Sequence, residues 1–327
     1  MPRLGVSGAG ERGPCNPPGR RTLGFIRSHP SVASLPAEPG VYRFRDGTGR
    51  VLYVGRAVRL RRRVASYWSD LRDRRHLAPM VARIARVEAV ACDSEHEAAW
   101  LERNLLEHRL PRWNRTPGGQ EAPAWIWVDA RPGSPGLRAA HTGTADGADS
   151  FGPYLGGDKV RTAVAALHRV LPLAYAGTRL TGGERDLAAK LGVGPEDRQR
   201  LAATVAAVLR RDPAAIEAVR SDLTRRRDLA AEALSFELAG RLQAELEAVE
   251  WVTAPQRVTA AGSVDADVAG WSAGILVRFE IRDGRLRAWT QRASSESGAA
   301  HLLAATPPEW VEFARRNAEL ATRLAVS

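Results

Sequence analysis

The feature that most constrains the fold is a pair of short apolar segments separated by turn-forming residues. The sequences VYRF (41–44) and VLYV (51–54) flank DGTG (46–49). β-Branched and aromatic residues favour strands, and an Asp-Gly pair favours the tight turn between two antiparallel strands. The segment therefore predicts a β-hairpin. Because side chains alternate along a strand, Tyr42 and Phe44 are expected on one face.

The residues that follow this hairpin are strongly basic. From Arg56 to Arg86 there are ten arginines and only two acidic residues. The apolar spacing predicts helices over 58–68 and 76–86, followed by a third strand over 87–92.

The charge balance of the whole chain bears on its partner. Lys and Arg total 48 against 37 Asp and Glu, which gives a formal net charge of +11 at pH 7. Such an excess favours a polyanionic partner, because binding phosphates releases their counterions. Nucleic acid is the first candidate and an anionic membrane the second. There is no run of 18 apolar residues and no apolar signal-peptide core, so we expect a cytoplasmic protein without a membrane helix.

Cysteine and histidine usage narrows the chemistry further. The chain has only two cysteines, Cys15 and Cys92. This number excludes a disulfide scaffold, a cysteine-rich zinc site and a four-thiolate iron–sulfur cluster. The histidines show no spacing typical of metal ligands.

The remaining segments are predicted to be mainly helical, after a basic tail over residues 1–34 that is predicted to be disordered. The expected elements are a strand at 125–128, a loop at 132–150, helices at 158–171 and 184–210, amphipathic helices at 214–228 and 230–251, a hairpin at 273–291 and a helix at 307–325. From Leu234 to Leu246, leucines recur every four residues and form an apolar stripe.

One acidic residue is hard to explain by packing alone. An Asp-Ser cap predicts a helix over 95–109. Glu102 lies one turn from both Ala98 and Leu106, on the border of the apolar face of this helix. Burying a carboxylate is costly unless it is paired or binds a metal. We therefore expect Glu102 either to pair with a cationic group or to bind a metal.

Several motifs, in a consistent order, resemble one known family over about residues 35–290. LPAEPGVYRFRDGTGRVLYVGRAVRLRRRVASYW is similar to the GIY-YIG nuclease domain in the form found in the UvrC family of excinucleases. EHEAAWLERNLLEHRLPRWN resembles the glutamate-bearing helix of that family and the asparagine that follows it. FGPYLGGDKVRTAVAALHRVLPL resembles its FGPY segment, and LTRRRDLAAEALSFELAGRLQAELEAVE resembles the UVR helical hairpin through which UvrC contacts UvrB.

The resemblance implies a fold class and a domain order. The fold is α/β (α+β), with a GIY-YIG domain whose small antiparallel or mixed sheet is flanked by helices. A helical region with a UVR-type hairpin and a small C-terminal β/α piece follow. The implied boundaries are 35–131 for the GIY-YIG domain, 150–212 for the FGPY-containing helical linker, 213–252 for the UVR-like hairpin and 260–327 for a truncated remnant of the UvrC C-terminal region.

The resemblance also implies roles for individual residues. Tyr42 acts on the attacking water as a general base or proton relay, and Tyr53 lines the same site. Arg63 stabilises the charge of the phosphate in the transition state, and Tyr67 supports the site by hydrogen bonding. Glu102 is the one protein ligand of Mg²⁺ or Mn²⁺. This set makes chemical sense, since hard cations take oxygen ligands and keep most of their waters.

Three further positions complete the implied site, and the chain departs from the family at some points. Gly55 lets the backbone pass close to the active site, and Asn114 holds the site geometry.

Arg56 stands where the family usually has Lys, and an arginine cannot readily lose a proton. An acidic DDK-type segment is replaced at 115–120, and the usual cysteines after the FGPY segment are missing, so no iron–sulfur cluster is expected.

Two surfaces are predicted for partners. The candidate contacts to the DNA backbone are Arg56, Arg59, Arg61, Arg62 and Arg63. The candidate contacts to a UvrB-like helicase are Leu234, Phe236, Leu238, Leu242 and Leu246. In the alternative interpretation, this stripe packs on its own domain.

The sequence thus supports three functional hypotheses. The first is a metal-dependent DNA endonuclease of nucleotide excision repair, which cuts on the 3′ side of a lesion with a UvrB-like partner. Because the residues after Val268 are too few for the RNase H-like nuclease domain of full UvrC proteins, a short, Cho-like form with only the 3′ incision is expected. The alternatives are a non-catalytic adapter that binds DNA and UvrB, and a stand-alone structure-specific nuclease.

Overall fold

A computed structural model describes residues 29–69, 72–116, 121–144, 146–260 and 264–326 of the chain. These residues form three antiparallel sheets of three strands each, with helices packed against them. In these ranges no helix combines the length and the apolar character that a bilayer crossing requires. Most of the predicted tail, residues 1–28, lies outside the described part.

The first sheet is built from the predicted hairpin and the strand after the basic segment. Its elements are β1 (Gly40–Arg45), β2 (Val51–Ala57), α1 (Leu60–Ser69), α2 (Ala78–Val81), β3 (Arg86–Ala91) and α3 (Glu95–His108). The strand order is β2-β1-β3, and both pairs are antiparallel. This confirms the hairpin, the third strand and the helix that carries Glu102.

Two segments near this sheet differ from the prediction. Helix 76–86 is shortened to α2, because the amide of Ala85 already donates to the carbonyl of Arg45 on β1 at 2.8 Å. Residues 29–34, expected in the tail, pack against the sheet instead. Val32 is buried in the same apolar cluster as Tyr42, Phe44 and Tyr67.

The second sheet lies in the middle of the chain. Its elements are β4 (Pro123–Val128), β5 (Leu137–Ala140), β6 (Asp149–Leu155), α4 (Gly157–Val170), α5 (Gly182–Leu191) and α6 (Arg198–Leu209). β5 falls in the predicted loop, because a four-residue strand with two alanines shows no readable alternation. The predicted helix 184–210 is split into α5 and α6, since Gly192 ends α5 at a φ of +64° in the left-handed region.

A helical hairpin follows, formed by α7 (Pro213–Glu232) and α8 (Phe236–Thr253). Leu234 lies in the connection with a φ of +55°. The hairpin packs on α4 through α8, and Arg169 of α4 donates two hydrogen bonds of 2.7 Å to the carboxylate of Glu245. The two predicted amphipathic helices are thus confirmed as an antiparallel pair.

The C-terminal part forms the third sheet and covers the first. Its elements are β7 (Ala266–Ser272), β8 (Ile275–Arg282), β9 (Arg285–Ala293), α9 (Glu296–Ala304) and α10 (Pro308–Val326). The sequence predicts the β8–β9 hairpin and α10 but neither β7 nor α9. Arg43 of β1 donates to the carbonyl of Trp289 at 2.9 Å and stacks 3.8 Å above its ring centroid. This contact joins the third sheet to the sheet that carries the candidate site.

Candidate active site

Three tyrosines meet on one face of the first sheet. Tyr42 lies on β1 directly opposite Gly55 of β2, and Tyr53 is two residues before Gly55. Tyr67 comes from α1, and its hydroxyl lies 2.8 Å from that of Tyr42 within hydrogen-bond distance. The three ring centroids are 5.9–6.3 Å apart. The alternation that predicts Tyr42 inside the sheet therefore places its hydroxyl at a shared site.

Gly55 is required by the packing of these rings. A Cβ atom at Gly55 would lie 2.6 Å from the Tyr42 hydroxyl oxygen and 2.7 Å from a ring carbon of Tyr53. Real Cβ atoms do not approach heavy atoms so closely, so any side chain here would displace the tyrosines. The structure thus links Gly55 to the site through the aromatic rings that cross its backbone.

Burial sets the protonation state of the tyrosines. It raises the pKa of Tyr42, and the nearby Tyr53 adds to the shift. Burial also raises the pKa of Tyr53 and Tyr67. All three side chains are therefore neutral phenols near pH 7, and the hydroxyls of Tyr42 and Tyr67 are close enough to pass a proton between them.

Arg63 borders this group on the solvent side. It comes from α1, one turn before Tyr67, and its guanidinium carbon lies 5.8 Å from the ring centroid of Tyr67. It also interacts electrostatically with the Tyr42 hydroxyl. The side chain is exposed, so its charge is available to an anion that enters from solvent.

Glu102 reaches the same site from α3. Its side chain is only 23 % exposed, and burial raises the pKa of its carboxyl group, although the nearby Arg56 acts in the opposite direction. One carboxylate oxygen accepts from the backbone N–H of Arg56 at 3.1 Å, and the other lies 3.3 Å from its guanidinium. Glu102 also interacts electrostatically with Arg63 and Tyr53.

Arg56 is shared between two carboxylates. Its second contact is with Glu121, at 3.1 Å between guanidinium nitrogen and carboxylate oxygen. Sequence reasoning missed Glu121, which lies just after the altered segment 115–120. Residues 117–120 of that segment lie outside the described part.

Asn114 holds the outer strand of the sheet. Its side-chain oxygen accepts from the N–H of Val54 at 3.0 Å, and its amide nitrogen donates to the carbonyl of Val54 at 2.8 Å. Val54 directly precedes Gly55 on β2. Asn114 therefore fixes the backbone that presents Gly55 and Arg56.

Comparisons with known proteins identify the domain that contains these residues. Residues 38–115 match the sequence profile of the UvrC-like GIY-YIG domain. The chain carries a UvrC-like GIY-YIG domain. This match confirms the predicted GIY-YIG domain and, with it, the prediction of the nuclease class.

Relatives called UvrABC system protein C extend the likeness along the chain. The one from Desulforudis audaxviator is 34% identical over 270 residues, which cover 78% of this chain and 43% of the relative. The one from a Mycobacterium species is 32% identical over 292 residues, which cover 82% of this chain and 43% of the relative. The chain thus spans less than half the length of these relatives.

A solved structure gives a further likeness. It is the GIY-YIG N-terminal endonuclease domain of UvrC from Thermotoga maritima, bound to its catalytic divalent cation, magnesium. It is 31% identical to this chain and covers 26% of it and 92% of the solved domain, with a TM-score of 0.23.

The arginines near the GIY-YIG site fall into two groups. Arg59 and Arg62 are exposed, and their side chains form no hydrogen bond or ion pair with any residue in the described ranges. Arg61 instead donates to the carbonyl of Leu35 at 2.7 Å. Arg61 therefore has a structural contact that the sequence does not indicate.

The leucine stripe of the helical hairpin is divided between surface and core. Leu234 is 73% exposed and Phe236 is 68% exposed, and Leu238 is exposed as well. Leu242 and Leu246 are buried, contrary to the prediction that they contact a partner, because α8 packs this part of the stripe on its own domain. The available apolar surface is confined to the tip of the hairpin.

Proposed function

We propose that this chain is a metal-dependent DNA endonuclease that hydrolyses a phosphodiester on the 3′ side of a lesion in nucleotide excision repair. The observation that carries the proposal is the meeting of Tyr42, Arg63 and Glu102 at one end of the GIY-YIG sheet. A phenol network, an exposed cation and a desolvated carboxylate are the groups that phosphodiester hydrolysis requires. The products are a 5′-phosphate and a 3′-hydroxyl.

The donor set fits one hard divalent cation. Glu102 is a half-buried carboxylate, and no group of three or more His, Cys, Asp or Glu side chains is placed to hold a metal in the described ranges. Mg²⁺ is commonly held by one or two carboxylates, several waters and substrate phosphates. Glu102 would hold Mg²⁺ or Mn²⁺, which supplies a Lewis acid and charge neutralisation at the phosphate.

The residues of this chain supply the remaining chemistry. Arg63 stabilises the negative charge that develops on the phosphate oxygens, since its guanidinium is exposed and lies near the ring of Tyr67. Because the pKa of the Tyr42 hydroxyl is raised, this group acts as a proton relay. It accepts one proton only as it passes its own proton to Tyr67. The ring of Tyr53 lies beside those of Tyr42 and Tyr67, and its hydroxyl interacts electrostatically with Glu102.

DNA binding in this proposal is independent of base sequence. Arg59 and Arg62 have no partner among the described residues, so their guanidinium groups can contact the phosphate backbone, and Arg63 lies at the scissile phosphate. Contacts of this kind position a duplex without reading its bases. Binding is therefore expected to weaken steeply as salt concentration rises.

A UvrB-like helicase is the proposed protein partner, by way of a UVR-type hairpin. The tip of the α7–α8 hairpin exposes Leu229, Leu234, Phe236 and Leu238, and clustered exposed apolar side chains are typical of docking surfaces. A Phe236→Ser variant is expected to lose UvrB binding without losing stability. Leu191→Ser removes another exposed apolar residue, on α5 and away from the hairpin tip, and serves as the control.

The test of the proposed function is a nicking assay on a lesion-bearing duplex labelled on the damaged strand. With Mg²⁺, UvrA and UvrB, we expect a single nick on the 3′ side of the lesion. Nicking that does not require UvrB would instead indicate a stand-alone nuclease. Nicking in an undamaged strand alone would contradict the repair function.

One observation favours the adapter as a second candidate. The guanidinium of Arg56 contacts the carboxylate of Glu102, so a metal ion that binds this carboxylate has to displace the guanidinium. If no metal binds, the chain would still bind DNA and its partner. Retained DNA and UvrB binding without any nick would establish this alternative.

A further inference from the structure

A large cleft begins at the GIY-YIG site and is bounded on its far side by another part of the chain. Its volume is about 1080 Å³. One wall carries Arg56, Arg59, Arg62 and Arg63 from the GIY-YIG domain. The other wall is formed by residues 156–159 at the start of α4, and Trp251 of α8 also lines the cleft.

We propose that the far wall is a second DNA-contact surface, where Lys159 and the start of α4 hold a phosphate of the strand beyond the scissile bond. This inference rests on the proposed function, because it names how the substrate extends from the same site. The arginines supply only one wall. A strand that leaves the active site along this cleft has cationic groups on both sides.

The start of α4 is suited to an anion. The first N–H groups of a helix have no partner within the helix, and they attract negative charge. No side chain caps this helix, since the N-cap position is Gly156. A Cβ atom there would lie 2.9 Å from the Trp251 ring, and the φ of Gly156 is +143°. Only glycine fits against this ring, and it offers no side chain to cap the helix.

Lys159 adds a positive charge that can pair with a phosphate. Its ammonium lies 5.2 Å from the ring centroid of Trp251 and 3.6 Å from a carboxylate oxygen of Glu95. Both members of this ion pair are about half exposed, and exposed ion pairs contribute little to stability. A phosphate can therefore replace Glu95 as the partner of Lys159 at small cost.

The overall charge of the cleft favours a polyanion. Its acidic residues are already matched, since Glu95 contacts Lys159, Glu121 contacts Arg56, and Asp158 contacts Arg161. Arg59 and Arg62 have no such match among the described residues. A nucleic-acid backbone supplies the missing negative charge, and the Trp251 ring offers a flat apolar surface beside it.

The test compares the two lysines of the chain. Lys159→Ala removes the cleft lysine, and Lys190→Ala removes the other one, which is exposed on α5. The dissociation constant for a duplex is measured by fluorescence anisotropy at several salt concentrations without divalent metal. We expect Lys159→Ala to weaken binding and to lower the slope of log K against log salt by about 1, as for one lost phosphate contact. Lys190→Ala is expected to leave both unchanged.

A second variant tests the same contact in the opposite direction. Glu95→Gln removes the competing carboxylate, so tighter DNA binding is expected. If wild type cleaves DNA but the two lysine variants bind alike, the inference is wrong and the proposed function stands. If wild type neither binds nor cleaves, both are wrong.

Discussion

Asn114 and Asn317 hold the two opposite edges of the first sheet in the same way. The amide of Asn114 bonds both the N–H and the carbonyl of Val54 on β2. The amide of Asn317 bonds the N–H of Ala91 on β3 at 2.7 Å and its carbonyl at 3.2 Å. Each asparagine satisfies two backbone groups that an edge strand would leave unpaired. The C-terminal helix α10 thus completes the sheet that carries the active site.

The two asparagines support different strands, so replacing each of them should have a different effect. Asn317→Ala leaves the N–H of Ala91 without its partner, although the carbonyl keeps its contact with Arg316, so the free energy of unfolding is expected to fall by about 1–3 kcal/mol. Nicking per folded molecule should be unchanged, because β3 carries no site residue. Asn114→Ala releases β2 next to Gly55, so nicking should fall more than stability does. Urea unfolding and nicking rates check both, and equal activity loss in the two variants would contradict the account.

Gly55 provides a test of the tyrosine packing. Gly55→Ala places a Cβ atom 2.6 Å from the Tyr42 hydroxyl oxygen, so the rings must shift. We expect a loss of about 1–3 kcal/mol in the free energy of unfolding, as for overpacked cores, together with loss of nicking. Gly47→Ala is the control, since a Cβ atom there meets nothing within 4 Å. A fully active Gly55→Ala variant would show that the tyrosine arrangement is not needed.

The raised pKa of Glu102 predicts how stability depends on pH. The folded state holds the proton more tightly than the unfolded state, so this group lowers stability as pH rises from the ordinary glutamate pKa through the folded one. Without metal, Glu102→Gln is therefore expected to melt at a higher temperature than wild type at neutral pH, with a smaller difference near pH 4.

Adding metal should reverse the order of the melting temperatures of wild type and Glu102→Gln. Mg²⁺ that binds Glu102 stabilises only wild type, by mass action on the folded state. The melting temperature of wild type should rise with Mg²⁺ and that of Glu102→Gln should not. Equal shifts of the melting temperature in the two proteins would show that the metal binds at another site.

Arg56 is predicted to compete with the metal. Its guanidinium bridges Glu102 and Glu121, and a lysine, as a single point charge, cannot hold both carboxylates in this planar geometry. Arg56→Lys is therefore expected to bind Mn²⁺ more tightly by calorimetry. Arg59→Lys makes the same exchange without a Glu102 contact and should bind as wild type does. An unchanged Mn²⁺ affinity in Arg56→Lys would contradict the predicted competition between Arg56 and the metal.

Local pattern accounts for the parts of the fold and site that were predictable. The VYRF and VLYV strands carry strong alternation and a turn signal, so the hairpin and the position of Tyr42 follow from the sequence. The apolar face around Glu102 likewise indicates its partial burial. The remaining site residues were reached through the resemblance to GIY-YIG domains, since a strand pattern does not distinguish a catalytic tyrosine from a packed one.

The missed features depend on contacts between distant segments. Asn317 meets Ala91 across 226 residues, and no local signal marks this pairing. Glu121 contacts Arg56 across 65 residues, which is again beyond the reach of a local pattern. Leu242 and Leu238 have the same spacing in the stripe, yet only the structure shows that α8 buries one and exposes the other.

The most direct test of the central claim compares two glutamates on α3. Glu102→Gln removes the proposed metal ligand, whereas Glu107→Gln makes the same change at a residue that pairs with Arg103 at 2.7 Å. Both are assayed for nicking of a lesion-bearing duplex with Mg²⁺, UvrA and UvrB, and for DNA binding. The account predicts nicking by wild type and Glu107→Gln, and bound but uncut DNA with Glu102→Gln. Metal-dependent nicking by Glu102→Gln at the wild-type rate would contradict it.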